Sequence, residues 1–485
     1  FRRGKKSTRV KEILENFFKK IWFFFPFVFY AILAENLLRT HGQLRLLHLV
    51  LLSFGFFLFL LWSLKAPPKE TLKLKEKEEE NNCISQKALA FLWCFFSLFL
   101  SLKSELIYTI FFLYTLLIKV FLILNFLSSL FFFIFFKKYP QFLKKCCLLS
   151  LALLSFVLIL VPFASPTPNI DVWAYAQIAS KLLLEGKNPY ASFDAYPDWN
   201  AGIYGPVVTF PYWPVPTYFY TLGYFFFKEV RGALILCQFV TVFGIWKICK
   251  KSFGENTLLS LLFPLVWACF PVIFFVLEQS WSEGSLLPFL VFFFYFLKQK
   301  KWKSAAFFLG LMAMNKQYMI FSVILSFIYV WREADRNTNI QFFFIFLITC
   351  FLLALPFLVW DFQSFYRATI VWPLNLYPRD DGLSWYSYAL KNYKYILSAK
   401  FIIPLYLGVL IFVCIGLMKR WFTRTGAGVG ELLTSFIILY LVVFLFGKQA
   451  FCNYYYMVAL MLLLVLSSFT QAIKGQSCSQ DLKKF

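Results

Sequence analysis

Long apolar runs, broken by short basic segments, recur along almost the whole of this chain. A bilayer's hydrocarbon core is roughly 30 Å thick and takes about 20 helical residues to cross. Within it every backbone polar group must be bonded internally, which commits such runs to helix. Composition agrees: 60% of the 485 residues are hydrophobic and 15% charged, against roughly 45–50% and about 25% for soluble chains. Spans are predicted near 21–38, 46–64, 88–102, 105–136, 146–164, 231–248, 257–276, 284–297, 303–314, 317–331, 340–360, 401–418, 432–446 and 454–470. The fold class expected is therefore an all-α polytopic membrane protein with about 14 transmembrane helices.

Sidedness follows from the basic residues. The run 105–136 is long enough for two crossings, but a double crossing would put Lys137, Lys138, Lys144 and Lys145 outside, against the positive-inside rule, so one crossing is predicted. Both termini are then cytoplasmic, and inner segments hold 33 of the 48 Lys and Arg but only 12 of the 24 Asp and Glu. The net charge of +24 is thus mostly a topology signal. The basic residues sit at span edges with no nucleic-acid-binding motif, so no nucleic-acid partner is expected. The basic stretch 1–20 runs into apolar residues without an Ala-x-Ala-like site, which predicts membrane entry by uncleaved spans, with a plasma-membrane location. The chain starts with Phe, so an earlier start is open.

Two blocks are predicted. Residues 1–145 hold about four spans and a charged cytoplasmic linker at 65–87; residues 146–485 hold the remaining spans and two long outer loops, 165–230 and 361–400. Eleven Cys show no CxxC spacing, which indicates neither a disulfide framework nor a metal knot. Only two His occur, both in the first block, so a general base in the second block must be a carboxylate. Ten carboxylates fall on its outer side: Asp171, Glu185, Asp194, Asp198, Glu229, Glu278, Glu283, Asp361, Asp380 and Asp381. Asp171 ranks first. Pro166-Thr167-Pro168 stops the preceding span, Asn169 is a predicted N-cap, and a surface helix runs from Ile170 to Glu185 and stops at Gly186. Asp171 then sits in the first turn, where an acid also complements the helix dipole. The aromatic, Pro-rich stretch 204–214 is predicted to be interfacial or re-entrant.

The order Asp171-x3-Tyr175-x10-Gly186-x2-Pro189-Tyr190, then Tyr204-x-Pro206 and many spans, resembles the GT-C superfamily of integral-membrane glycosyltransferases. Polyprenol-phosphate-mannose-dependent mannosyltransferases are the most similar. Gly310 to Lys316, Gln279 to Glu283 and Lys448 to Tyr455 are similar to further segments of these enzymes. The resemblance covers about 146–470 and implies a GT-C-like core whose long first outer loop carries the catalytic Asp, here Asp171. It implies a polyprenyl-phosphate-linked sugar donor, a lipid, glycan or protein acceptor, and membrane lipids as surroundings. Lys316, Arg367, Arg379 and Lys448 are the candidates for the donor phosphate. Glu283, Asp380 and Asp381 are the second-acid candidates, and Tyr175, Asn188, Tyr190, Tyr204, Asn453 and Tyr454 the sugar or lipid contacts. No cofactor is required; a divalent cation on Asp380-Asp381 is the open alternative, as in some members. Structural roles compete: Lys316 as a snorkelling cation, Arg379-Asp380-Asp381 as a self-neutralising turn, and Glu283 as a first-turn acid. The chain departs from the pattern at Tyr204-Gly205-Pro206, where relatives often carry Tyr-Pro-Pro, and residues 1–145 have no counterpart in the minimal core. The rival reading is a transporter or flippase, although no pair of matching halves is visible.

The sidedness is directly measurable. Single cysteines introduced across 165–230 are expected to react with an impermeant maleimide in intact cells; labelling only from the cytoplasmic side would overturn it.

Overall fold

A computed structural model describes residues 28–37, 40–41, 43–65, 78–103, 106–135, 140–191, 210–254, 257–375, 379–393, 408, 410–417, 428–448 and 450–481. Among them every regular element is a helix. In chain order these are α1 (Val28–Leu37), α2 (Leu46–Lys65), α3 (Glu78–Leu102), α4 (Phe112–Ile134), α5 (Pro140–Ala164), α6 (Asp171–Leu184), α7 (Pro214–Phe227) and α8 (Arg231–Phe253). There follow α9 (Leu259–Ala268), α10 (Val272–Glu278), α11 (Glu283–Lys298), α12 (Trp302–Ala313), α13 (Ile320–Glu333), α14 (Arg336–Tyr366), α15 (Trp372–Asn375), α16 (Trp385–Asn392), α17 (Val429–Phe446) and α18 (Cys452–Asp481).

Five of the described helices are long and apolar enough to cross a membrane: α4, α5, α8, the α14–α15 run and α17. A sixth span results if α9 and α10, which meet at a 49° bend, count as one. The chain is thus an all-helical protein with the span-length helices of an integral membrane protein. The run 105–136 contributes a single helix, α4. Several other predicted spans correspond to shorter apolar helices, among them α1 and α12.

The chain divides into two compact units, one of residues 83–378 and the other of residues 1–82 with 379–485. The cut falls elsewhere than the 145/146 boundary of the sequence blocks. In the second of these units the N-terminal helices join the last ones: the Tyr30 hydroxyl donates to the Ala459 carbonyl (2.8 Å) and the Trp385 indole to Ser53 Oγ (2.8 Å). His48, buried in α2, pairs with Glu35, which also takes Arg45 at 3.1 Å.

In the larger unit, α6 spans nearly the predicted interval. Its N-cap, however, is Ile170, in extended conformation and without a side-chain capping bond, not Asn169. Asp171 Oδ1 instead accepts from its neighbour's Val172 N–H (2.8 Å). Gly186, at φ +71°, ends the helix in the left-handed conformation that glycine adopts without steric cost. Ile178, Leu182 and Leu183 lie against a core of Tyr175, Ala179, Tyr190, Phe210 and Phe357.

Among the described residues of the Pro-rich stretch, 210–213 lie outside regular helix, and Pro214 opens the 14-residue helix α7, shorter than a bilayer crossing requires. Proline at the first helical position loses only an N–H that has no intrahelical partner. Val215's orphan N–H is taken by the Met314 carbonyl at the end of α12 (3.1 Å). The predicted outer segment 361–400 begins as helix. Helix resumes after a kink at Asp361 (φ −162°, ψ 94°), whose carboxylate accepts from the Ser364 N–H (3.0 Å) and Oγ (2.6 Å). That is the capping geometry of a new helix start. A π-helical turn, Arg367–Val371, and α15 follow.

Helix α7 turns sharply into α8, and Gly223 makes that approach possible. A Cβ there would lie 2.7 Å from the Val230 carbonyl oxygen and 2.9 Å from Ala233 N, both backbone atoms. Gly223→Ala is expected to cost about 1–3 kcal/mol, read as a lowered unfolding temperature in detergent. Leu222→Ala, at a 52% exposed position, is the control; equal behaviour of the two variants would contradict the close approach.

Candidate functional site

The head of α6 is anchored through one buried cation. Arg231 is fully buried at the start of α8. Its Nη1 donates to the carbonyls of Ser165 (2.7 Å) and Glu278 (3.3 Å), and its Nη2 to Pro166 O (3.3 Å). Its Nε and Nη2 fork onto Glu229 at 3.0 and 2.7 Å. Ser165 follows α5 and Glu278 ends α10, so the guanidinium satisfies carbonyls left over at two helix C-termini, where the helix dipole favours a cation. Trp173 of α6 donates its indole N–H to Glu229 Oε1 (3.2 Å). The Glu278 carboxylate meanwhile accepts from the backbone N–H groups of Ile107 (2.7 Å) and Tyr108 (2.8 Å).

Asp171 stands half-buried beside this anchor. Its charge reaches two phenols. Burial first, then Glu278 and Asp171, push the Tyr108 phenol above its ordinary pKa. Burial, then Tyr220, Asp171, Glu283 and Tyr175, do the same to Tyr212. Glu283, whose charge also acts on Tyr212, belongs to a second charged group.

That group is a buried ion pair. Lys316 Nζ lies 2.8 Å from Glu283 Oε1, with both side chains almost wholly buried. The Lys316 ammonium also lies 5.6 Å from the Tyr212 ring centroid, within cation–π range. Tyr318 donates to Glu283 Oε1 at 3.4 Å, while Glu283 Oε2 has no hydrogen-bond partner among the described residues. Gln317 ties the turn down, donating to the carbonyls of Pro211 (3.4 Å) and Thr369 (3.2 Å). Thr369 belongs to the π-helical turn that also carries Arg367, an exposed residue. Such turns interrupt α-helices and are frequent at functional sites.

Three of the sugar or lipid candidates are used structurally. Tyr190 is buried, its hydroxyl donates to the Tyr212 carbonyl (2.8 Å), and its ring packs edge-on against Phe357 and Phe365, each at 5.0 Å. Asn188 Oδ1 accepts from the Tyr190 N–H (3.0 Å), while its Nδ2 has no partner among the described residues. Tyr175 is buried in the same aromatic core. Tyr204, Asp194 and Asp198 lie outside the described residues.

No protein-family model matches the chain, and no curated protein matches it. The site is read from its own chemistry.

Several outer acids have structural partners. Glu229 and Glu278 are engaged around Arg231, Asp361 caps a helix, and Glu185 pairs with Lys187 at 3.0 Å on the surface. In the other unit Arg379 and Asp381 form an ion pair, with Arg379 Nε donating to Asp381 Oδ1 (2.6 Å) and its guanidinium 4.8 Å from the Phe451 ring. The Asp381 carbonyl also accepts from Leu44 N–H (2.7 Å). Asp380 beside it is exposed. Lys448 is half-buried in the turn between α17 and α18, and that burial depresses its ammonium pKa. Asn453 is fully buried with neither side-chain atom partnered among the described residues, and Tyr454 packs against Phe444 at 5.4 Å.

Sequence reasoning named Glu283 and Lys316 separately, as an acid and a phosphate ligand; the structure joins them. It passed over Gln317 and the anchoring role of Arg231. Arg231 carried a legible signal, since it begins an apolar helix two residues after an acid. Breaking the buried pair from one side leaves an uncompensated charge, which typically costs about 3–5 kcal/mol. Glu283→Gln and Lys316→Met should each lower the unfolding temperature strongly, and the double variant should lose at least about 1 kcal/mol less than their sum. Additive losses would contradict direct pairing.

Proposed function

We propose that this chain is a GT-C-like membrane glycosyltransferase. It moves a hexose, mannose first among them, from a polyprenyl-phosphate donor to an acceptor hydroxyl on the extracytoplasmic face. The observation that carries this reading is the half-buried Asp171, at the head of an anchored helix, with Tyr212 and the Lys316–Glu283 pair within electrostatic reach. The reading includes about 14 crossings of the plasma membrane with both termini cytoplasmic, more than the span-length helices alone require.

In the proposed reaction Asp171 takes the proton of the acceptor hydroxyl as its oxygen attacks the anomeric carbon. The anomeric carbon–phosphate oxygen bond breaks, and the lipid phosphate leaves with the bonding pair. Stabilising that charge calls for preorganised cations. Lys316 is held in place by Glu283, so its net charge is offset, and exposed Arg367 on the neighbouring segment supplies a guanidinium for a phosphate fork. Glu283 serves as partner to Lys316 rather than as a second base. The roles of Arg379, Asp380, Asp381, Lys448, Asn453 and Tyr454 rest on the family resemblance alone.

The bend between α9 and α10 favours a second reading, transport, because discontinuous helices line the substrate sites of many transporters. The Glu278 carboxylate at that break is, however, occupied by two backbone N–H groups.

Membranes carrying the intact chain or Asp171→Asn, incubated with labelled polyprenyl-phosphate sugars, test the proposal. Transfer to endogenous acceptors is expected from the intact chain and to fall about 100-fold or more in the variant. Full transfer by the variant would remove Asp171 as the base. Equal transfer from nucleotide sugars without a lipid carrier would remove the donor class. Translocation of the label without bond formation would favour transport.

A further inference from the structure

The helices that carry Arg231's anchor at one end enclose a different feature at the other. Arg231, which opens α8, bonds the carbonyl of Ser165, which follows α5. The two helices therefore run antiparallel, and the start of α5 lies beside the end of α8. Between them and α9 is a cleft of about 370 Å³, lined by Leu148, Leu151, Leu158, Phe243, Trp246 and Leu261 among others. That volume is in the range of small-molecule sites. Its one hydroxyl, Ser155, already donates to the Leu151 carbonyl (2.8 Å), so the walls are almost wholly apolar, the Trp246 indole N–H excepted.

The end of this cleft is strongly basic. Lys144 and Lys145 precede Leu148 by about one turn of α5, and Lys247, Lys250 and Lys251 follow Trp246 on α8. Lys247 lies 5.2 Å from the Phe243 ring and 5.7 Å from the Trp246 ring, and Lys250 lies 5.0 Å from Trp246. Cations thus gather around an aromatic residue that itself lines the cleft. Helices α5, α8 and α9 contain no Asp or Glu; Glu255, in the α8–α9 connection, is outside the described residues. A hydrocarbon slot ending in ammonium groups and an indole matches a molecule with an apolar tail and an anionic head.

We propose that this cleft binds an anionic diacyl phospholipid, with one acyl chain between α5, α8 and α9 and the phosphate on Lys145, Lys247 and Lys251. It is separate from the site at Asp171. Lys145 and Ser165 are about 30 Å apart along α5 at 1.5 Å per residue, a full bilayer core. The proposal holds whether the chain transfers sugars or transports them.

The full chain, purified in neutral detergent, is titrated with palmitoyl-oleoyl phosphatidylglycerol or phosphatidylcholine, and retained lipid is counted by native mass spectrometry. Retention of phosphatidylglycerol is expected at a concentration at least about tenfold lower than that of phosphatidylcholine, since each lysine near an anionic surface contributes about fivefold. Changing Lys145, Lys247 and Lys251 together to Gln should abolish the preference, and the same three changed to Arg should keep it. Ser155→Phe, which fills the cleft, should remove retention with all lysines intact; Leu151→Phe replaces it if the first variant is not monodisperse. Equal retention of the two lipids, or wild-type retention by the Gln or cleft-filling variants, would overturn the proposal. So would displacement of the lipid by an equal concentration of inorganic phosphate, which would place the affinity in the head group alone.

Discussion

The guanidinium of Arg231 is the constraint on which the larger unit is arranged. A buried cation in an apolar bundle is costly unless its donors are met by well-placed acceptors. Here they are shared among Glu229 and the carbonyls of Ser165, Pro166 and Glu278. Arginine suits this role where lysine would not, because its planar fork reaches three chain segments at once. Each of those segments then carries something further. Pro166 leads to α6 and Asp171, Glu229 holds Trp173 on the same helix, and Glu278 fixes the backbone ahead of α4. The position of Asp171 is a downstream consequence of satisfying one charge.

Glu229 shows why such an anchor also sets electrostatics. Its carboxylate is engaged by Arg231 and Trp173, so its charge is locally offset. Glu283 is likewise offset by Lys316. Burial and neighbouring carboxylates, Asp171 among them, raise the Tyr108 and Tyr212 phenols.

Helix was legible wherever a run was long and uniformly apolar. The single helix of 105–136 followed from charge sidedness, and α6 from its stop at Gly186 and its apolar face. Less was legible where proline or a polar residue has two meanings. Pro214 reads as a breaker of spanning helix, yet at the first helical position it opens a short helix whose Val215 N–H is met by the Met314 carbonyl. Asp361 reads as the end of a span, while its carboxylate in fact restarts a helix through Ser364. Asn169 had the right chemistry for a cap, but the helix begins one residue later than its side chain could serve.

The candidate site was legible as a set of residue types but not as a set of pairings. Ranking acids by place in the sequence put Asp171 first, whereas the pairings of the other acids come only from the structure. Glu229, Glu278, Glu283, Asp361 and Asp381 each have partners that stabilise the folded chain. Local spacing could not reveal the partners of Glu278 and Glu283, because Ile107 and Glu278, or Glu283 and Lys316, are separated by whole helices. The same limit concealed the convergence of Pro211, Gln317 and Thr369, which brings the Lys316 turn, the segment bearing Tyr212 and the π-helical turn bearing Arg367 together. Two hydrogen bonds from one amide thus hold a buried ion pair next to an exposed guanidinium. One cation of the region is thus buried and neutralised by Glu283, while the other is exposed near the Asp361 carboxylate.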